Sequence, residues 1–420
     1  MKSGGAGDAR RASPAVRLPV AFKLLWAGTV VNRIGLLIPA FLVLFVVRQR
    51  LGTSVEAASL VAVQGAGAVI ASFVGGVLAD RLGARRCIVA SQLLNAVVAI
   101  CLSAIRWMPA FTLLVFLAGC LSTIHRPAGA AMIARTVDPR AAGRAYGLLY
   151  WATNIGSSIA PVLAGVALTV FPPGLFLLNA VTALTYAAIA TRLPADAGRA
   201  AGAAAGERPP RWAALRPFIT MPMSVFLVLS LALALVYMQR QSALPLDMAA
   251  NGLTPSKIGT ALAINGLLVV ALQPIASRLS ARLPMLWMFL IASVLIAVGF
   301  GLNAIVHSFP GYLAAITIWT LGEIALAPAT GAYIARHGPA DQQGSFQGSY
   351  LFMWNLGLSA GAPLGAWLLE ITGSRLLWVG TCALGLAAGA GHIALSRRYP
   401  YDLPTRTEPP GHPDRASDPS

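Results

Sequence analysis

The chain has 420 residues, of which 57% are hydrophobic and only 11% charged, against about 25% charged in a soluble domain. So few charges cannot cover so apolar a core in water, which excludes an ordinary soluble enzyme or binding module and makes the bilayer the expected solvent. The formal net charge of +17 invites a nucleic-acid reading, but the basic residues are scattered through short gaps between apolar runs, which excludes it.

In chain order, the first 20 residues are polar and basic and read as a tail. The first apolar run is too long for a cleaved signal core. Twelve spanning helices are then predicted at about 22–47, 55–79, 87–105, 108–133, 144–170, 174–192, 218–246, 257–279, 284–306, 310–334, 343–369 and 375–396. Residues 57–79, 87–105, 145–191 and 283–322 contain no Asp, Glu, Lys or Arg. A spanning helix needs roughly 20 such residues, so 145–191 holds two, and "FPPG" at 171–174 supplies the turn between them. The runs are long and do not alternate, which favours helices over a barrel.

The expected fold is therefore an all-α membrane protein of twelve transmembrane helices in two six-helix bundles. Its predicted parts are an N-terminal tail (1–20), a first bundle (21–192), an Ala-, Gly- and Pro-rich linker (193–216), a second bundle (217–396) and a polar tail (397–420).

Arginines crowd alternate gaps: Arg81, Arg85 and Arg86; Arg135, Arg140 and Arg144; Arg192 to Arg216; Arg278 and Arg282; Arg397 and Arg398. The gaps between hold few. This is the positive-inside pattern, and it predicts a multi-pass cell-membrane protein with both termini and the linker in the cytoplasm.

The two halves repeat. Gly143 and Gly344, Gly147 and Gly348, Asn154 and Asn355, and Gly156 and Gly357 each stand 201 positions apart. "RPAGAAMIAR" (126–135) overlies "APATGAYIAR" (327–336) at the same separation, and "NRIGLLIP" (32–39) resembles "QRQSALP" (239–245). Arg33 thereby matches Arg240, and Pro39 matches Pro245. A parallel repeat with both termini on one side predicts a central cavity between the halves, exposed to each side in turn as they rock.

Helices in lipid gain little from hydrophobicity and rely on close packing of small residues. Gly156, Gly165 and their neighbours make the fifth span smooth, and Pro161 interrupts its hydrogen-bond ladder and permits a bend. Pro363 repeats the device in the eleventh span. The four cysteines form no CxxC pair, so neither a metal nor another cofactor is expected.

Ionisable groups within the membrane are costly and mark function. Glu323 is the sole acid near the centre of a predicted span. It is the leading candidate for a coupling proton, with Arg33 or Arg240 as its partner in one state and His125 as a second titrating candidate. Asn32, Gln64, Asn154, Gln239 and Asn355 are the polar candidates for the cavity wall, beside Arg33 and Arg240. With two arginines and few acids, that cavity suits neutral or anionic amphiphiles better than cations.

"GVLADRLGARR" (76–86) resembles the signature loop of the major facilitator superfamily: Gly76, Leu78, Asp80, Arg81, Gly83, Arg85 and Arg86 stand in place, and Ala84 departs from it. "NIGSSIAPVLAG" (154–165) resembles the fifth-span motif of its drug:proton antiporters, and "LGEIALAP" (321–328) their tenth span. The first span reads Asn32–Arg33 where many such exporters carry an acid. The resemblance covers residues 22–396 and implies a proton-coupled multidrug-type exporter working by alternating access. It also implies that Asp80 latches the two halves when the cavity faces outward. The expected partners are a small amphiphilic substrate, protons and lipid, for a chain acting as a monomer. The alternative is an importer or facilitator of a sugar-like or organic-anion nutrient. No HExxH, GxSxG or Walker loop points to an enzyme.

Overall fold

In a computed structural model the described residues are 18–36, 39–49, 51–137, 142–194, 216–280, 283–337 and 343–401. Most of the predicted linker and both tails lie outside them, as do the surroundings of Gly76 and the side chain of Asp80. All regular structure among the described residues is helical. That is what a bilayer demands, since every backbone N–H and C=O must find a partner within its own segment.

The helices are α1 (Val20–Ile34), α2 (Pro39–Arg48), α3 (Ser54–Leu82), α4 (Ala84–Ala104), α5 (Met108–Thr136), α6 (Ala142–Val170) and α7 (Gly174–Ala190) in the first half. The second half holds a short α8 (Arg216–Ile219), α9 (Met221–Tyr237), α10 (Ala243–Ala250), α11 (Pro255–Ser280), α12 (Met285–Gly301), α13 (Phe309–His337) and α14 (Gln343–Arg398). Residue Gly373, at φ 78° and ψ 169°, divides α14 into the eleventh and twelfth spans. Gly83, at φ 89°, likewise separates α3 from α4 by one residue. Both conformations lie in the region that only glycine enters freely.

Two of the predicted spans are not continuous. The first, expected over 22–47, is broken between α1 and α2. The seventh, expected over 218–246, is interrupted by a 3-10 turn (Met238–Gln241) between α9 and α10. Broken helices survive in a membrane only where other groups take over the freed backbone. Here Asn179 of α7 donates to the Gly35 carbonyl at 2.8 Å. In the second half the rigging runs to α14: Ser242 donates to the Ala362 carbonyl (2.8 Å) and Gln239 to the Gly361 carbonyl (3.1 Å).

Within the first half α3 packs on α5, and α4 on α7 and α5; within the second α12 packs on α13 and α14, and α9 on α14. The first half keeps an aromatic triad, with Phe45 edge-on to Phe176 at 4.8 Å. The second keeps Phe226 stacked on Tyr333 at 4.1 Å. Large apolar side chains such as Val170, Val181, Leu267 and Leu376 remain exposed on the outside, as expected of a surface meeting acyl chains.

The halves meet through α6 on α11 and α3 on α14, and through α2 against α10. Glycines make the first contact close. A Cβ on Gly259 would meet the backbone of Pro161, and one on Gly266 the backbone of Ser158.

Candidate functional site

The two helix breaks place the matched arginines. Arg33 is in the last turn of α1 and Arg240 in the 3-10 turn after α9. A cation at a helix C-terminus is favoured by the unpaired carbonyls there. Gly156 lets α6 lie against the Arg33 Cβ and backbone. Both arginines reach one cavity of about 230 Å³ between the halves, lined also by Asn154, Ser157, Pro161, Gln241, Asn265 and Glu323. Leu36, Pro39 and Ala40, at the first break, form part of the same wall.

Glu323 projects from α13 into this cavity. Its Oε1 accepts from the Tyr237 hydroxyl at 2.6 Å, and its Oε2 from Asn265 Nδ2 at 2.6 Å. Asn265 also donates to Thr320 at 3.1 Å. Neither arginine pairs with Glu323 in this arrangement. Arg240 instead lies 4.6 Å over the ring of Tyr237, so one tyrosine touches the carboxylate with its hydroxyl and the guanidinium with its face. Trp319 and Trp354 pack on the same ring at 5.6 and 5.4 Å.

Other predicted cavity residues lie elsewhere. Asn32 is buried in the first half and donates to Gln92 at 2.9 Å; Gln92 donates in turn to His125 Nδ1 at 3.0 Å. His125 lies edge-on to Tyr186 at 5.6 Å and is not among the side chains lining the cavity. Gln239 is turned into the α9–α14 contact and donates to Leu235 and Gly361 carbonyls. Gln64 sits where α3 closely approaches Gly119 of α5. Asn355 is exposed on α14. Pro161 and Pro363 both lie inside their helices, and Gly165 backs onto Pro255 at the start of α11. In the α3–α4 turn, Arg81 and Arg86 are exposed and Arg85 half-buried.

The bond from Tyr237 to Glu323 was not legible in the sequence. An aromatic in an apolar run looks like packing, and nothing local shows that its hydroxyl finds a carboxylate 86 residues away.

Among the described residues no cluster of His, Cys, Asp and Glu could hold a metal ion. The arrangement among the described residues is a cavity between the halves whose wall carries two arginines and one carboxylate.

The sequence profile of the Major Facilitator Superfamily matches residues 25–246 and again 229–417. The chain is 26% identical over 395 residues to YttB, an uncharacterized MFS-type transporter of Bacillus subtilis, covering 91% of this chain and 96% of YttB. A second Bacillus subtilis protein of that type, YqjV, is 23% identical over 368 residues, covering 85% of this chain and 88% of its own. Among solved structures, a POT family transporter in complex with a thioalcohol-conjugated peptide superposes with TM-score 0.75 at 16% identity, covering 90% of this chain and 96% of its own. The nucleoside transporter NupG superposes with TM-score 0.74 at 12% identity, covering 89% and 98%.

Proposed function

The chain belongs to the Major Facilitator Superfamily, and from that premise we propose that it exports a small amphiphilic compound in exchange for protons. It is a multi-pass membrane transporter, so the work lies in exposing one site to two compartments in turn. The observation that carries the proposal is the position of Glu323. It is an acid on the wall of the cavity between the halves, and its bonds come from two other helices, α9 and α11. A proton taken up there replaces a charge-assisted bond by a weaker one, and so changes how firmly α13 is tied to α9 and α11.

The arginine distribution puts the α2 and α10 ends outside the cell. The packing of α2 on α10, and of Gly165 in α6 on Pro255 at the start of α11, supports an outer gate at this end, with substrate loaded from the other. Asp80 and the arginines after it serve the opposite closure, when the cavity faces outward. The two bundles, 21–192 and 217–396, are the rocking bodies, and one chain suffices.

Proteoliposomes with an imposed pH gradient test this. The wild type accumulates substrate against a proton gradient, while Glu323→Gln loses that accumulation and retains exchange of labelled for unlabelled substrate. Full gradient-driven transport by Glu323→Gln would remove the proton role. A second reading, uptake of an organic-anion nutrient, is favoured by the two arginines on the cavity wall. It predicts that cells lacking the protein contain less of the compound rather than more.

A further inference from the structure

We infer that the central cavity is an oxyanion site: the compound it takes presents a carboxylate, sulfonate or phosphate group to Arg33 and Arg240. This deepens the transport reading and rests on it for the meaning of the cavity, while the charge argument stands on the side chains themselves.

Arg33 and Arg240 reach the cavity from opposite halves. Among the described residues neither guanidinium has a hydrogen-bonding or ion-pair partner, and the buried Nε of Arg240 is unsatisfied. The stacking of Arg240 on Tyr237 holds its plane while leaving the N–H edge unused. The one carboxylate on the wall, Glu323, is occupied by Tyr237 and Asn265. Arg126, on α5, lies near enough for its charge to act on Arg33; it adds to the positive field and offers no compensation. The other buried carboxylate of this half, Asp247, is held by Tyr312 at 2.8 Å and is not on the cavity wall.

Unpaired charge within a membrane is costly, and it is tolerated where a partner arrives. The guanidinium fork matches a planar oxyanion bidentately, and a fork from each half lets one anion tie both bundles. A cation would meet two like charges, and a neutral molecule would leave both forks unmet. Ser157 and Gln241 can hydrogen-bond the remainder of a head group, while Leu36 and Leu262 receive an apolar body. A cavity of about 230 Å³ suits a compact molecule.

Equilibrium dialysis of the purified full-length protein against three probes of one shape tests the site: 2-naphthoate, 2-naphthamide and 2-(aminomethyl)naphthalene. Naphthoate binds saturably and tightest. A charge-assisted bond corresponds to about ten- to a hundredfold in affinity, and Arg33→Gln and Arg240→Gln each lose that much for naphthoate while changing naphthamide little. Arg33→Lys, which keeps charge and loses the fork, shows a smaller loss, and Glu323→Gln binds naphthoate more tightly. These two variants keep the test decisive if Arg33→Gln fails to fold. Equal or tighter binding of the amide or amine overturns the proposal. So does the absence of saturable naphthoate binding, or unchanged naphthoate affinity in Arg240→Gln and Arg33→Lys. Naphthoate that binds as expected but does not exchange in proteoliposomes sustains the oxyanion site and removes the reading that this site carries the exported compound.

Discussion

Tyr237 donates its hydroxyl to Glu323 at 2.6 Å, so the acid of α13 is fastened to the last residue of α9, one step before the 3-10 turn that carries Arg240. A change of charge at the carboxyl is thus felt at the break in the seventh span, where α10 begins and meets α2. The hydrogen bond links the proposed proton site to the turn that precedes α10.

Tyr237→Phe isolates this link. The ring stays, with its contacts to Trp319, Trp354 and Arg240, and only the donor to Glu323 is lost. A hydrogen bond to a charged group contributes about 1.5–3 kcal/mol. Gradient-driven transport in proteoliposomes is expected to fall by roughly tenfold, since about 1.4 kcal/mol is a factor of ten, while exchange without a gradient falls less. Equal losses in both assays would place the hydroxyl in packing rather than coupling.

His125 separates two sources of proton dependence. It is buried within the first half, bonded to Gln92 and packed on Tyr186. His125→Gln keeps a hydrogen-bonding group of similar length there. Its transport is expected to retain the response to a pH gradient that Glu323→Gln loses. A flat response to pH in His125→Gln, with protein folded and inserted, would shift the coupling role from the second half to the first.

The α6–α11 contact leaves no room for side chains at three positions, Gly165, Gly259 and Gly266. An added Cβ on Gly266 would stand 2.6 Å from Ser158 Oγ and 2.9 Å from its backbone nitrogen. Gly266→Val forces α6 and α11 apart, and overpacking of this kind costs about 1–3 kcal/mol. Because the contact joins the two halves, the expected outcome is loss of the closed state: cysteine labelling in the cavity from the α2/α10 side rises while transport falls. Gly331→Ala, with open space around it, is the matched control.

At the α2/α10 end a second carboxyl is held without a cation on it. Tyr312 donates to Asp247 Oδ2 at 2.8 Å and accepts from Asn251 Nδ2 at 2.9 Å, and His307 lies 3.1 Å from the Asn251 oxygen. Asp247 is only 2% exposed. Asp247→Asn keeps an acceptor for the phenol. Tyr312→Phe strips the donor from a buried carboxylate, which costs about 1–3 kcal/mol or more. Tyr312→Phe is therefore expected to lower the thermal midpoint of the purified protein by more than Asp247→Asn does.

The architecture was legible in the sequence because hydropathy reports directly on burial in lipid, and "FPPG" marks its own turn. The matched arginines were legible through the repeat, and both line the cavity. The breaks in the first and seventh spans were not legible. Hydropathy is indifferent to whether an apolar backbone is continuous, although Gly35, Pro39 and Pro245 stood close to both. Of the polar residues assigned to the cavity wall, Asn154 lines it, while Asn32 and Gln239 face elsewhere for a related reason. Asn32 and Gln239 sit one residue before an arginine that reaches the cavity, and on a helix one residue turns a side chain by about 100°. Neighbours in sequence therefore face different partners, Gln92 for one and α14 for the other. That Tyr237 and Asn265 both bind Glu323 is recognisable only once α9, α11 and α13 are brought together.

The end of α14 supplies a pH dependence of known sign outside the membrane. Tyr401 follows the last turn, is 2% exposed, and hydrogen-bonds to His392 Nδ1 at 2.7 Å. Its ring packs on Tyr333 at 5.0 Å and Phe289 at 5.6 Å. Burial pushes the Tyr401 phenol above its ordinary value of 10.0, and the neighbouring Tyr333 adds to the rise. The folded state therefore favours the protonated phenol. The contribution to stability is complete below the unfolded value and is lost as pH rises through the folded one. Thermal unfolding of the purified chain is expected to weaken above about pH 10, the usual tyrosine range. Tyr401→Phe keeps the packing but loses the bond and this part of the alkaline slope. Tyr401→Ala, which also removes the ring, lowers the midpoint at neutral pH as well. An alkaline slope unchanged in Tyr401→Phe would mean that other phenols carry it, with Tyr333 the next to test.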